Sequence, residues 1–295
     1  MTLTQLKYFV TVAESGQLTR SAAELMIAQP SLTQAIRKLE DELRFALFQK
    51  KGRTLHLTQE GKIFLAYAKE VLSASGRAEA AAERIYQERN GLIRFMHTEP
   101  TPKYYIPDLI RHFLEREENR DVRIECDIAG TGKIISALLH DEINFGFCSE
   151  PPEPDGRLLM YPLIRQPIVL IAAKSDPLAQ LSQISPLDLS KRPCISYAES
   201  SAMRLQLDRF CAERNIRQDI RYRSSAVQIT SLVARGLGWA FAVKTDDLPN
   251  DRISVLRMPN LTLMRTTYLA MRKDRQFGAA AERFRDYVLT ETATV

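Results

Sequence analysis

The sequence predicts an α+β multidomain chain: a winged helix-turn-helix at the N-terminus, a long linker helix, and a bilobed α/β domain. Three observations carry this. Two short helical patterns joined by an uncharged turn fill Leu18–Leu43. Helical spacing then runs unbroken from Thr58 to about Arg89. From Leu92 onward, short apolar strands alternate with helical stretches, the pattern of parallel α/β sheets.

In chain order, residues 3–15 form a first helix, with Leu3, Leu6, Val10 and Ala13 on one face and Gly16 as its stop. The helix pair follows. Its first member places Leu18, Ala22 and Leu25 on one side. Its second carries Leu32, Ile36, Leu39 and Leu43 as a single stripe. Pro30 sits at the start of that helix, where its missing N–H is harmless and its fixed φ helps nucleation. Pro30, Thr33, Gln34 and Arg37 fall on the opposite face, with side chains that reach base edges and phosphates. This is a helix-turn-helix reading; the alternative is an αα-hairpin with a solvated face. Next come apolar Phe45, Leu47 and Phe48, a turn at Lys51-Gly52-Arg53, and Leu55 and Leu57 alternating with Thr54 and His56. Such a hairpin is a wing. The stretch Leu43–Gln59 holds Arg44, Lys50, Lys51 and Arg53 and no acidic residue, so its tip suits a phosphate backbone or a minor groove. A solvated turn is the other reading.

Thr58 is a plausible N-cap for the long helix, with Glu60 near the positive end of its dipole. Ile63, Tyr67, Val71, Ala74, Ala78, Ala81 and Ile85 recur at steps of four and three. A helix of this length spans about 45 Å. Its narrow stripe buries too little to fold alone, so it needs a partner, and a second copy is the simplest one. Asn90-Gly91 stops it. The expected domains are therefore 1–58, 59–90 and 91–295, the last divided into lobe I (about 91–162 and 268–295) and lobe II (about 163–267).

Within 91–295, LIRFMH, VRIECDIAG and INFGFCSE read as strands, separated by helices at 103–117 and TGKIISALLHDE. YPLIRQPIVLIAAK crosses into a second unit of CISY, a helix at 201–214, DIRYRSS, AVQITSLVARGLG and WAFAVK. LTLMRTTYLAMR returns as a strand and FGAAAERFRDYVLTE closes as a helix. Two crossing strands make two lobes with a cleft between them. Ligands in such sheets bind at the carboxyl ends of strands, beside helix N-termini. The candidates there are Thr98, Thr101 and Pro102; Thr131 and Gly132; Ser149; Ser200 and Ser201; and Val227, which could pack on a ligand. Hydroxyls and N–H groups at helix starts suit a carboxylate. Plain N-capping is the alternative for each hydroxyl. Arg165 and Arg204 are candidate counter-charges, or ordinary surface arginines.

Composition excludes several classes. The chain is 45% apolar and 26% charged, with no long uninterrupted apolar run and no signal-peptide pattern at its start, so a cytoplasmic location is expected. Net charge of +5 permits nucleic-acid binding. Cys126, Cys148, Cys194 and Cys211 lie far apart, and His56, His97, His112 and His140 form no ligand spacing, so neither metal nor cofactor is expected. No GxSxG, HExxH, CxxC or P-loop pattern supports a cleft enzyme. A solute receptor is disfavoured by the first ninety residues.

The elements LKYFVTVAE, TRSAAEL, QPSLTQAIRKLEDEL and LTQEG, followed by IPDLIRHF, SALLHDEINFGF and LVARGLGWA, resemble the LysR-type transcriptional regulators over essentially the whole chain. The resemblance implies a periplasmic-binding-protein-like effector domain and a sequence-specific, effector-responsive regulator. It assigns Arg20, Gln29, Pro30, Ser31, Thr33, Gln34 and Arg37 to DNA, with Lys50, Lys51 and Arg53 on the flanking backbone or minor groove. It implies an inverted-repeat operator read by a homodimer paired through the linker helix, further association into a tetramer, and RNA polymerase as a partner. Departures from the family pattern are Thr33-Gln34 for a usual serine–arginine, Lys50 for arginine, Glu142 for glycine and Asn144 for aspartate. Within the class, the second reading is thiol-based redox sensing through Cys148, Cys194 or Cys211.

Overall fold

A computed structural model describes residues 1–51, 54–99, 101, 105–151, 153–199, 201–245, 248 and 251–292, with only the backbone of Lys50, Lys51 and Thr54. It divides into two compact units, Met1–Ile85 and Tyr86–Val295.

In the first unit, α1 (Leu3–Ser15) opens on a capping box. The Gln5 N–H donates to the Thr2 hydroxyl at 3.2 Å, and the Thr2 N–H donates to the Gln5 side chain at 2.8 Å. Gly16, at φ 67°, ends the helix in the left-handed region that a Cβ disfavours. Then come α2 (Leu18–Glu24) and α3 (Gln29–Leu43), with Pro30 in the first turn of α3. Leu6, Phe9, Val12, Ala22, Leu32, Ile36 and Leu39 form the core between the three helices. The expected hairpin is present as β1 (Phe48–Lys51) antiparallel to β2 (Thr54–Leu57). One carboxylate oxygen of Glu40 on α3 accepts the N–H groups of Leu47 (2.7 Å) and Phe48 (3.2 Å), which fixes the hairpin against the helix. The long helix α4 (Gln59–Arg89) begins under Thr58, whose hydroxyl accepts the Gly61 N–H at 2.9 Å and donates to the Ala46 carbonyl at 2.7 Å. Its early turns pack Phe64, Leu65, Ala68 and Leu72 on the core. The stripe containing Ile63, Tyr67 and Val71 stays exposed.

In the second unit, after the last turn of α4, the order is β3 (Leu92–His97), α5 (Tyr105–Leu114), β4 (Arg123–Ile128), α6 (Thr131–Leu139), β5 (Phe145–Cys148) and β6 (Leu158–Ala173). Then follow α7 (Pro186–Ser190), β7 (Pro193–Tyr197), α8 (Ala202–Glu213), β8 (Asp219–Ser224), α9 (Ala226–Ala234), β9 (Ala240–Val243), β10 (Ile253–Leu256), β11 (Met264–Arg272) and α10 (Ala279–Thr292). One sheet runs β10-β6-β11-β5-β3-β4, with β9 also on β6, and β7 pairs with β8. The N-terminal part of β6 pairs with β11 and its C-terminal part with β9 and β10, so one long strand serves two cores. The first core centres on Phe95, Phe113, Phe145, Phe147 and Phe284. The second centres on Ile171, Phe210, Ile229, Trp239 and Phe241.

Three details differ from the sequence expectation. The sheet is mixed rather than parallel: β3 is parallel to β4 and β5, whereas β11 is antiparallel to β5 and β6. The cause is connectivity, because the two crossing strands run in opposite directions between the lobes. The helix expected over 103–117 is described only as Tyr105–Leu114, followed by a 3-10 turn at Glu117–Asn119. Two elements were not expected, the short helix α7 and the strand β10.

Candidate nucleic-acid face and ligand cleft

On α3 the buried stripe Leu32, Ile36 and Leu39 turns the other side outward. Gln29, Pro30, Ser31, Gln34 and Arg37 are exposed there, Thr33 is half-buried, and Arg20 is exposed on α2. The Gln29 side-chain amide donates to the Thr33 hydroxyl at 2.9 Å, and that hydroxyl donates to the Gln29 carbonyl at 3.0 Å. One turn of helix thus holds two polar side chains in a fixed relation before any contact is made. Arg53 and the side chains of Lys50 and Lys51 lie outside the described residues.

In the second unit, two adjoining chambers lie where strand ends meet helix starts. The first, ≈ 340 Å³, is lined by Thr98, Thr131, Ser149 and Ser201 of the sequence-predicted set, and by Gly130, Tyr197, Ser225 and Arg265. The second, ≈ 410 Å³, is lined by Thr101 and Val227 of that set, and by His97, Ile106, Pro107, Ile110, Cys126 and Leu248. Glu99, Ile128, Tyr197 and Ala226 line both. Gly132 lines neither, being one residue further along α6 than Thr131 and so rotated off that side by about 100°. Pro102 and Ser200 lie outside the described residues.

The helices α6, α8 and α9 start at the first chamber. Among the described residues no side chain caps the N-terminus of α6 or α8, while Ser225 accepts the Gln228 N–H at 3.5 Å at the head of α9. The first-turn N–H groups and the positive dipole ends of these helices favour an anion. Thr98 is pinned as β3 ends, its N–H donating to the Phe147 carbonyl at 2.8 Å. The Thr101 hydroxyl is turned back onto the Thr98 carbonyl at 2.5 Å.

Sequence reasoning missed the buried cation of this site. Arg265 on β11 is 2% exposed, and burial lowers its pKa to about 10, which leaves it protonated at neutral pH. Its guanidinium donates to the Thr98 hydroxyl (2.5 Å), the Ser149 hydroxyl (3.3 Å) and the Gln166 amide oxygen (3.1 Å). A signal was available. Along β11 the inward positions alternate as Arg265, Thr267 and Leu269, so an arginine falls where the strand's period demands a core residue. The two arginines singled out instead are accounted for elsewhere. Arg165 is exposed, and Arg204 pairs with Glu199 (3.3 Å) and Asp208 (3.1 Å). Burial also pushes the Tyr197 hydroxyl up to about 12, so it stays neutral in the wall.

A helix-turn-helix with a hairpin beside it, and a two-core α/β unit with a walled cleft, define the class of ligand-binding regulatory proteins with their own DNA-binding module. Residues 3–62 match the family described as bacterial regulatory helix-turn-helix protein, lysR family, and residues 86–293 match the LysR substrate binding domain. The chain belongs to the LysR family: it is a DNA-binding transcriptional regulator with an effector-binding domain. It is 25% identical to the HTH-type transcriptional activator CmpR of Synechocystis sp. (strain ATCC 27184 / PCC 6803 / Kazusa), over 100% of this chain and 97% of that protein. Among solved structures it resembles the effector binding domain of QuiR in complex with shikimate (TM-score 0.65, 24% identity, 70% of this chain and 98% of that one). It also resembles full-length CbnR complexed with its target DNA (TM-score 0.61, 20% identity, 98% and 99%). No described helix is long and apolar enough to cross a membrane.

Proposed function

We propose that this regulator reads an inverted-repeat operator in double-stranded DNA as a homodimer, and that a small molecule held between the lobes changes how the DNA-binding modules are placed. The observation that carries the reading is the exposed polar face of α3, with Gln29 and Thr33 already bonded to each other, backed by a fully buried apolar stripe. Gln29, Pro30, Ser31, Thr33, Gln34 and Arg37 face the major groove, Arg20 supports them, and Lys50, Lys51 and Arg53 hold the flanking backbone or minor groove. The division is 1–58 for DNA, 59–90 for pairing and 91–295 for the effector. Exposed Ile63 (57%), Tyr67 (61%) and Val71 (42%) supply the apolar seam of a paired α4. Pairs of dimers then form tetramers and meet RNA polymerase in the cytoplasm. The ligand displaces an equilibrium between assemblies only by its differential affinity for them.

Thr98, Thr101, Thr131, Ser149, Ser201 and Val227 are the effector residues among those described; Pro102 and Ser200 stand as candidates from the sequence alone. The cleft binds its ligand without chemistry upon it. Cys148, Cys194 and Cys211 are buried and burial raises each thiol, which disfavours the thiolate that a peroxide sensor needs and supports the ligand reading.

Genomic footprinting of the full chain, followed by mobility-shift assays on the sites found, tests this. Gln34→Ala is expected to relax preference at one base position per half-site by about 1–3 kcal/mol. Arg53→Ala is expected to weaken every sequence alike and flatten the salt slope by about one. Uniform weakening by Gln34→Ala with an unchanged slope for Arg53→Ala would remove the assignment of both residues.

A further inference from the structure

We propose that the cleft is built for an amphiphilic monocarboxylate, its head on Arg265 in the first chamber and its apolar chain in the second. The inference rests on the cleft being the effector site and says what kind of molecule fits it.

The two chambers differ in chemistry and share walls. The first converges a buried guanidinium, two hydroxyls that already accept from it and the starts of three helices. These are donors, and they favour negative charge. Beyond its bonds to Thr98, Ser149 and Gln166, the Arg265 guanidinium brings a fixed positive charge to the chamber it lines, and that charge suits a carboxylate. The second chamber is walled by Ile106, Pro107, Ile110, Val227 and Leu248. Ile128 is 52% exposed and Val227 51%. Both line the cleft, and covering them is favourable in proportion to the apolar area removed from water. Ile128 lines both chambers, so one molecule can reach from the guanidinium to the apolar wall.

The remaining titratable groups in the walls sharpen the class. Glu99 lines both chambers and is exposed. Its charge opposes any carboxylate in the cleft, and the one buried guanidinium offsets one head group, so a monoacid is favoured over a diacid. His97 borders the apolar chamber, where burial keeps its imidazole neutral and therefore adds no competing cationic anchor.

Arg265 also couples this contact to the frame. It stands on β11, directly beside β6, opposite Gln166, to which it donates at 3.1 Å. These are the two strands that cross between the lobes. A head group on Arg265 would thus bond to the crossing strands themselves as well as to the loops.

The test is calorimetry on the full chain at constant ionic strength, with acetate, butyrate, hexanoate, hexanamide, adipate and sulfate as probes. Affinity is expected to rise about fourfold per added methylene from acetate to hexanoate. Hexanamide and adipate are each expected to bind at least tenfold more weakly than hexanoate. Arg265→Gln should bring hexanoate down to the level of hexanamide, and Arg265→Lys should restore part of the difference. Val227→Asn, at an exposed position that does not threaten folding, should flatten the chain-length dependence. Sulfate matching hexanoate, a flat acid series in the wild type, or Arg265→Lys binding hexanoate and hexanamide alike would overturn the proposal. Should only hexanamide or sulfate bind, and Thr131→Val abolish it, the carboxylate assignment falls while the cleft stands as the ligand site. No binding of any probe, together with operator binding that cell extracts leave unchanged, overturns both.

Discussion

Arg265 and His97 show how single side chains set the character of this cleft. Arg265 was hidden in the sequence because a lone arginine in a strand gives no hint of its surroundings until the strand's inward phase is known. That phase lies in LTLMRTTYLAMR, where Leu261, Leu263, Leu269 and Met271 alternate in step with Arg265. The hydroxyls were easier. Thr98, Thr131, Ser149 and Ser201 follow strand ends or begin helices, and the sheet topology brings them to one chamber. His97 has a pH consequence. Burial holds its pKa below 6.5, so the folded protein prefers the neutral ring, and the nearby Glu99 and Asp127 carboxylates only partly oppose this. Between the lowered folded value and 6.5 the unfolded chain binds more protons than the native one. Stability is therefore expected to fall as pH drops through 6.5 and to level off once the native ring also protonates. In thermal melts between pH 7.5 and 5, wild type should lose stability relative to His97→Gln as the pH drops. Parallel curves would show that His97 contributes nothing to the drop.

At the scale of elements, the junction of wing and linker helix depends on one small residue. A Cβ at Gly61 would overlap the Leu47 carbonyl oxygen, and Leu47 is fully buried. Neither a backbone carbonyl nor a buried leucine yields easily. Gly61→Ala is thus expected to destabilise the N-terminal unit by about 1–3 kcal/mol, although alanine is the better helix former. A melt of the full chain that shifts upward instead would mean the helix simply moves aside. The seam on α4 is tested differently. Tyr67→Glu places a charge in the exposed stripe and is expected to lower the association state in sedimentation and weaken operator binding at fixed protein concentration. It should leave the melting of dilute protein almost unchanged, since Tyr67 is 61% exposed. The long helix was legible because thirty residues of unbroken period admit no other reading. The strand β10 and helix α7 were not. Each is a few residues long, and β10 exists through its pairing with β6 rather than through any pattern of its own.

For the whole molecule, the signalling reading makes a further claim about what is dispensable. Cys148, Cys194 and Cys211 are buried and burial raises each thiol, while Cys126 is exposed on β4 but also raised. Replacing Cys148, Cys194 and Cys211 by serine, and keeping Cys126 because it lines the second chamber, should leave ligand-dependent operator binding intact, apart from a loss of stability at the buried sites. A variant that folds and binds DNA yet no longer responds would return the thiol reading to first place. The order of the segments was clear from the sequence because each has its own period: 3.6 along the first ninety residues apart from the short hairpin, then the alternation of strand and helix. The direction of the crossing strands was not clear, because hydrophobic period carries no polarity.

The shared strand has one more consequence, for how such proteins diversify. The second core is an insertion. The chain enters it along β6 and leaves along β11, and the two strands are zipped from Leu158–Arg272 at one end to Pro167–Met264 at the other, with a single register shift at Thr267/Tyr268. A segment with both ends clasped in one ladder is a cassette. It can be exchanged between relatives without disturbing the first core, provided the donor keeps the same residue-for-residue pairing. An exchange that shifts β11 by a single residue would send Arg265 to the opposite face of the sheet together with Leu269 and Met271, so the cleft would lose its floor and the first core two of its side chains.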